Sequence, residues 1–259
     1  MLDILLARLR QGHRTTAFPD GPAPPLAERF RGRPIFDRER CPEGCLACAD
    51  ACPTDALRLE PKLTLDLGRC LFCTDCQDAC PEGAVSHARD ARLATRTREA
   101  LRVEGDATLE LARSLDQASL RLFGRSLKLR QVSAGGCNAC EADVNVLGTI
   151  VWDLGRFGIQ LVASPRHADG LLITGPVTQN MRLALRKTYD AVPTPKLVIA
   201  VGACALSGGP YIGHPEVLGG ADVELPVDLY IAGCPPHPLT ILDGLLRLLG
   251  RVEDGSRAS

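Results

Sequence analysis

At 259 residues, with 45% hydrophobic residues and a mean hydropathy of +0.02, the chain is long enough for two globular domains with buried cores. An aromatic content of 4% argues against stacking platforms for single-stranded nucleic acid, and a formal charge of −1 supplies no basic excess to recruit it. No run of eighteen apolar residues is present to form a transmembrane helix.

Residues 1–14 read as a short amphipathic helix, with Leu2, Leu5, Leu6 and Leu9 on one face and Arg8, Arg10 and Arg14 among the polar positions. Such a segment rests on an anionic membrane surface or against a partner, or packs on its own domain. It lacks the long apolar core and small-residue cleavage site of a secretory signal, so the expected compartment is the cytoplasm. Residues 15–39 contain Pro19, Pro22, Pro24, Pro25 and Pro34 and are expected to form an extended arm.

Residues 40–90 hold an internal repeat. Cys45, Cys48, Cys52, Pro53 and Ala56 recur 28 residues later as Cys73, Cys76, Cys80, Pro81 and Ala84. Cys41 and Cys70 are 29 apart, so the first copy has one extra residue, giving Cys41-x3-Cys45 where the second has Cys70-x2-Cys73. Leu63, Leu65 and Leu67 alternate with polar residues between the copies and predict a short strand. In two-cluster ferredoxins the cysteine preceding proline ligates the other cluster. The spacing therefore predicts Cys41, Cys45, Cys48 and Cys80 on one [4Fe–4S] cluster and Cys70, Cys73, Cys76 and Cys52 on the second. Two zinc sites are the competing reading, but zinc spacings present close pairs rather than a triplet with a distant Cys-Pro.

Residues 91–120 are charged and are expected to be a helical linker. From residue 121 to 259, apolar runs at 127–132, 159–163, 171–174, 197–201 and 229–232 alternate with helical patterns at 142–156, 178–191 and 238–249, the last stopped by Gly250. The division is thus 1–39, 40–90, 91–120 and 121–259. The fold class expected is a two-cluster ferredoxin-like α+β domain followed by an α/β domain with a mostly parallel, flavodoxin-like doubly wound sheet.

The remaining four cysteines, Cys137, Cys140, Cys204 and Cys234, follow predicted strands, where α/β sheets gather their ligands. Gly135, Gly136, Gly202, Gly208, Gly209 and Gly233 crowd the same loops and let backbone approach a bulky cofactor. The bland alternative makes Cys204 and Cys234 ordinary buried thiols. All twelve cysteines are then used by three [4Fe–4S] clusters, which would bring the net charge from −1 to roughly −7 at about −2 per cluster. Glu141 and Asp143 are candidate proton relays or simply favourable charges in a first helical turn. His237 is a candidate for tuning the third cluster or moving a proton beside it. No G-x-G-x-x-G or P-loop pattern is present, so neither NAD nor ATP is expected to bind.

The segments SLKLRQVSAGGCNACEAD, VGACALSGG and AGCPPHP resemble the cluster subunit shared by respiratory complex I and membrane-bound [NiFe] hydrogenases. The repeat, with its TTAFPDGP and RFRGRP arm, resembles the two-cluster ferredoxin subunit of the same complexes, so the chain resembles a fusion of the two. The complex I subunit has adjacent cysteines where this chain has Cys137-x2-Cys140; the spaced form is similar to formate hydrogenlyase and other energy-converting hydrogenase small subunits. The resemblance implies an electron-transfer subunit at the cytoplasmic face of the cell membrane. It also implies a large subunit with a [NiFe] or quinone site, membrane-embedded subunits and an upstream donor protein. A complex I-like quinone reductase and a free soluble electron carrier are the alternatives.

Overall fold

The computed structural model describes residues 2–59, 62–105 and 107–253. The N-terminal helix α1 (Leu2–Gln11) buries no residue: Leu2, Ile4, Leu5 and Leu9 are 61–79% exposed. The arm that follows is extended but pinned. Thr16 N–H donates to Val151 O, Phe18 is buried, and β1 (Pro34–Phe36) pairs with a strand fifty residues away.

The repeat forms two matching single-turn helices, α2 (Ala47–Asp50) and α3 (Asp75–Asp78), each just ahead of its Cys-Pro. Between them lie β2 (Leu57–Arg58) and β3 (Thr64–Asp66), and β4 (Val85–His87) follows, antiparallel to β1. The alternation of Leu63, Leu65 and Leu67 does give a short strand, and all three side chains are buried.

Residues 91–120 are not a helical linker. They supply β5 (Ala94–Thr95), β6 (Arg102–Glu104) and, after an irregular stretch, α4 (Gln117–Phe123) capped by Asp116. The physical reason is burial: Leu93, Ala94, Leu101 and Val103 are all sequestered, and strand pairing satisfies their backbone. β6 completes the sheet β2–β3–β6, whereas β5 joins the edge of the large sheet. The segment thus belongs to both units and ties them together.

The large sheet contains β7 (Leu127–Ser133), β8 (Ile159–Leu161), β9 (Gly170–Thr174), β10 (Leu197–Val201) and β11 (Leu229–Ile231). Its order is β5-β11-β10-β9-β7-β8, parallel except for β5. Among the parallel strands this is the 2-1-3-4-5 order of flavodoxin-type sheets. Every residue of β9, β10 and β11 is buried, as expected for apolar strands covered on both faces. The connecting helices are α5 (Ala139–Val146), α6 (Gln179–Ala191), α7 (Ala203–Ser207) and α8 (Pro238–Leu248). The expected helix over 142–156 is instead shifted and short: α5 ends at Val146, and Gly148 lies in the turns beyond it.

Side chains of α4, α5 and α8 pack on one face of the sheet. The other face packs α6 and α7 and continues without interruption into Leu57, Leu65, Leu101, Val103 and Phe72 of the repeat unit. One apolar core therefore spans both units. Arg98 reinforces the junction: its guanidinium donates to both carboxylate oxygens of Asp66 (2.7 and 3.0 Å), and Nε donates to Leu206 O (3.1 Å). Replacing Arg98 by Met leaves the buried Asp66 carboxylate with the Gly68 N–H (2.9 Å) and the longer Arg102 contact (3.5 Å) and removes its bidentate counter-charge. The expected loss is about 2–3 kcal/mol, read as a lower urea midpoint of the holoprotein; an unchanged midpoint contradicts the clamp.

Candidate metal centres

No cysteine is in a disulfide, and the described residues draw all twelve into three groups. Cys41, Cys45, Cys48 and Cys80 line one small cavity, and Cys52, Cys70, Cys73 and Cys76 line another. Each quartet takes three cysteines from one copy of the repeat and the proline-adjacent cysteine from the other. Cys137, Cys140, Cys204 and Cys234 form the third group at the carboxyl ends of β7, β10 and β11.

The electrostatics show how tightly the groups are drawn. Burial raises the Cys70 thiol to about 12, against a lowering contact from Phe72 N–H, with Cys76, Cys52 and Cys73 adding repulsion. Burial and then Cys73, Cys48 and Cys52 raise Cys76 to about 11. Burial, Cys234, Cys137 and Glu141 raise Cys204 to about 11, and the same environment pushes Cys140 up further. Four thiolates in such a site ionise together only against a cationic core. The donor set suits iron–sulfur chemistry.

Local backbone explains the sequence pattern. Ala56 N–H donates to Cys52 Sγ (3.3 Å) and Ala84 N–H to Cys80 Sγ (3.2 Å), so the two copies repeat the same backbone contact, and both alanines are buried. Phe72 N–H donates to Cys70 Sγ (3.3 Å), with Phe72 in the left-handed region at φ 52°. In the third group the glycines make room. A Cβ on Gly202 would lie 2.5 Å from Cys140 Sγ, and one on Gly209 2.8 Å from Cys204 Sγ. These four cysteines are not all in loops: Cys140 and Cys204 occupy the first turns of α5 and α7, while Cys137 and Cys234 are exposed loop residues.

The groups also adjoin in series. Cys48 of the first repels Cys76 of the second, and Cys73 of the second repels Cys234 of the third. Phe72, buried and lining the cavity that reaches Cys234, stands at the second junction. Sequence reasoning missed Phe72 and Arg98, whose importance comes from tertiary contacts alone.

The other candidates fall into distinct environments. Glu141 is buried, and burial raises its carboxyl, but hydroxyls of Ser133 and Thr174 outweigh this and hold it below the usual range. Thr174 Oγ1 donates to it at 2.7 Å, so it joins the ends of β7 and β9 beneath the ligand loop. Asp143 is half-buried, raised by desolvation, and shares a cavity with Cys234 and His237. His237 caps α8, its Nδ1 accepting from Leu239 N–H (3.1 Å), with Phe30 and Trp152 edge-on at 5.5 and 6.0 Å. Burial lowers its pKa, which favours the neutral ring.

Residues 137–248 match the family described as NADH ubiquinone oxidoreductase, 20 kDa subunit, and residues 40–84 match the 4Fe–4S dicluster domain. The chain is 43% identical over 140 residues to formate hydrogenlyase subunit 7 of Escherichia coli, covering 54% of this chain and 55% of the relative. It is 40% identical over 132 residues to a probable membrane-bound hydrogenase subunit of Pyrococcus furiosus, covering 51% and 79%. It is 43% identical over 118 residues to an NADH-quinone oxidoreductase subunit of Clostridium beijerinckii, covering 45% and 70%. The chain thus spans little more than half the length of the E. coli relative. The dicluster match lies N-terminal to the region covered by the 20 kDa subunit family, so one polypeptide joins two modules.

Replacing Gly202 by Ala forces a methyl group onto Cys140 Sγ at a backbone φ of +88°. The variant should lose about four iron atoms per chain while both N-terminal centres persist; full iron content contradicts the packing described.

Proposed function

Because the chain belongs to the family of the NADH ubiquinone oxidoreductase 20 kDa subunit, we propose that it is the iron–sulfur subunit of a membrane-associated multi-subunit oxidoreductase. The observation that carries this reading is the gathering of the cysteines into three neighbouring quartets, with Cys48 near enough to Cys76, and Cys73 to Cys234, to add to the burial that raises each thiol. Three bound [4Fe–4S] clusters supply single-electron transfer at adjacent stations. The first is held by Cys41, Cys45, Cys48 and Cys80, the second by Cys52, Cys70, Cys73 and Cys76, and the third by Cys137, Cys140, Cys204 and Cys234. The crossed use of Cys52 and Cys80 makes residues 40–90 a two-cluster ferredoxin-like unit, and residues 121–259 form the second module.

The chain's own residues orient and insulate these sites. N–H groups of Ala56, Phe72 and Ala84 stabilise thiolate charge on Cys52, Cys70 and Cys80. The shared apolar core fixes the distance between the second and third quartets. Exposed Cys137 and Cys234 mark the face where a large subunit covers the third centre, and the half-buried Asp143 stands beside it. The exposed leucines of α1, with Arg8 and Arg10, suit peripheral contact with the membrane at its cytoplasmic face. None of the described helices is long and apolar enough to cross a membrane, and on this reading the membrane-embedded parts are partner subunits.

The Cys137-x2-Cys140 spacing favours a formate hydrogenlyase-type, energy-converting [NiFe] hydrogenase, in which the terminal site is on the large subunit. The likeness to an NADH-quinone oxidoreductase subunit supports the second reading, a nickel-free quinone reductase. Metal analysis of the complex that co-purifies anaerobically with the tagged chain separates the two. The hydrogenase reading predicts about one nickel per complex beside abundant iron. Iron without nickel moves the terminus to a quinone or another acceptor, and a chain that purifies alone contradicts the subunit assignment.

A further inference from the structure

The sheet β2–β3–β6 has two unlike faces. Strand alternation turns Leu57, Leu65 and Val103 into the core and sets Arg58, Thr64, Asp66 and Arg102 on the opposite face. There, with Ala56 and Arg69, they line a cavity of about 260 Å³. Its charges do not balance. Asp66 is already matched by the bidentate Arg98. Among the described residues that line it, Asp55 alone remains to face Arg58, Arg69 and Arg102, and it is a mostly exposed carboxylate 3.7 Å from Arg69. Arg102 approaches Asp66 only at 3.5 Å. Arg69 Nε is buried without an acceptor among the described residues, an arrangement that proteins rarely leave unmet.

Guanidinium donors in excess, one of them buried and unsatisfied, complement an oxyanion. We propose that this cavity binds one, a phosphate or a carboxylate, held by Arg58, Arg69 and Arg102. The site is coupled to the second quartet. Ala56, which lines it, donates its N–H to Cys52 Sγ at 3.3 Å, and Arg69 directly precedes Cys70. The arginines place positive charge behind this centre and favour its reduction; a bound anion offsets that charge and makes reduction harder. The coupling rests on the cluster assignment proposed above, whereas anion binding does not.

The test uses anaerobically purified, full-length holoprotein in phosphate-free buffer of low ionic strength, titrated calorimetrically with inorganic phosphate. Saturable binding is expected, weakened at least about tenfold in Arg58→Gln and in Arg102→Gln, and unchanged in Arg10→Gln on α1. In parallel, phosphate should move the midpoint potential of the second centre to more negative values in the wild type, and not in the two cavity variants. Uptake by both the chain and its assembled complex identifies a free anion. Uptake by the chain alone identifies a partner's carboxylate as the occupant. Absence of saturable binding to the isolated chain, or binding that neither cavity substitution weakens, overturns the site. Binding without a potential shift overturns its coupling to the second quartet.

Discussion

Four thiolates confined together repel one another, and this chain confines four in each of three places. The repulsion is visible in the raised thiols of Cys70, Cys76 and Cys204, where burial and neighbouring sulfurs act in the same direction. Such groups stay together as thiolates only where something cationic holds them, and the proposed clusters would couple their insertion to folding. The surrounding backbone is arranged to the same end. Amides donate to the proline-adjacent sulfurs, and glycines stand where any Cβ would press on Cys140 or Cys204.

The crossing of Cys52 and Cys80 between copies makes each half of the repeat depend on the other. The same logic recurs at larger scale. Residues 91–120 give one strand to the small sheet and one to the edge of the large one, and the apolar core runs through both. Arg98 fastens Asp66 of one unit to Leu206 of the other. Where the two modules meet within one polypeptide, the separation of the second and third quartets is set by packing rather than by subunit association. Phe72 at that junction is held by the same core.

Much of this was legible in the sequence because cysteine spacing encodes geometry directly. The triplet spacing and the Cys-Pro positions grouped the cysteines as they line the two small cavities, and the apolar runs placed every strand of the parallel sheet to within about two residues. What the sequence obscured has physical causes. The charged surface positions of residues 91–120 suggested a helix, yet burial of Leu93, Ala94, Leu101 and Val103 drew that stretch into strands. The apolar content of 142–156 suggested one long helix, although α5 stops at Val146, Trp152 reaches the core from a turn, and Leu154 and Phe157 reach it from a single 3-10 turn of helix. His237 stood out beside a ligand loop, but its Nδ1 is committed to capping α8. Phe72, Arg98 and the arginine cavity carry no local pattern and emerge only when distant strands are paired.

The measurement that tests the account most directly is electron paramagnetic resonance of the reduced holoprotein in single serine variants. The crossed arrangement predicts that Cys80→Ser and Cys48→Ser perturb one and the same signal. Cys52→Ser should instead perturb the signal altered by Cys73→Ser, and Cys140→Ser a third. If Cys80→Ser perturbed the signal of Cys73 and Cys76, the ligands would not cross and the three-centre series built on them would fail.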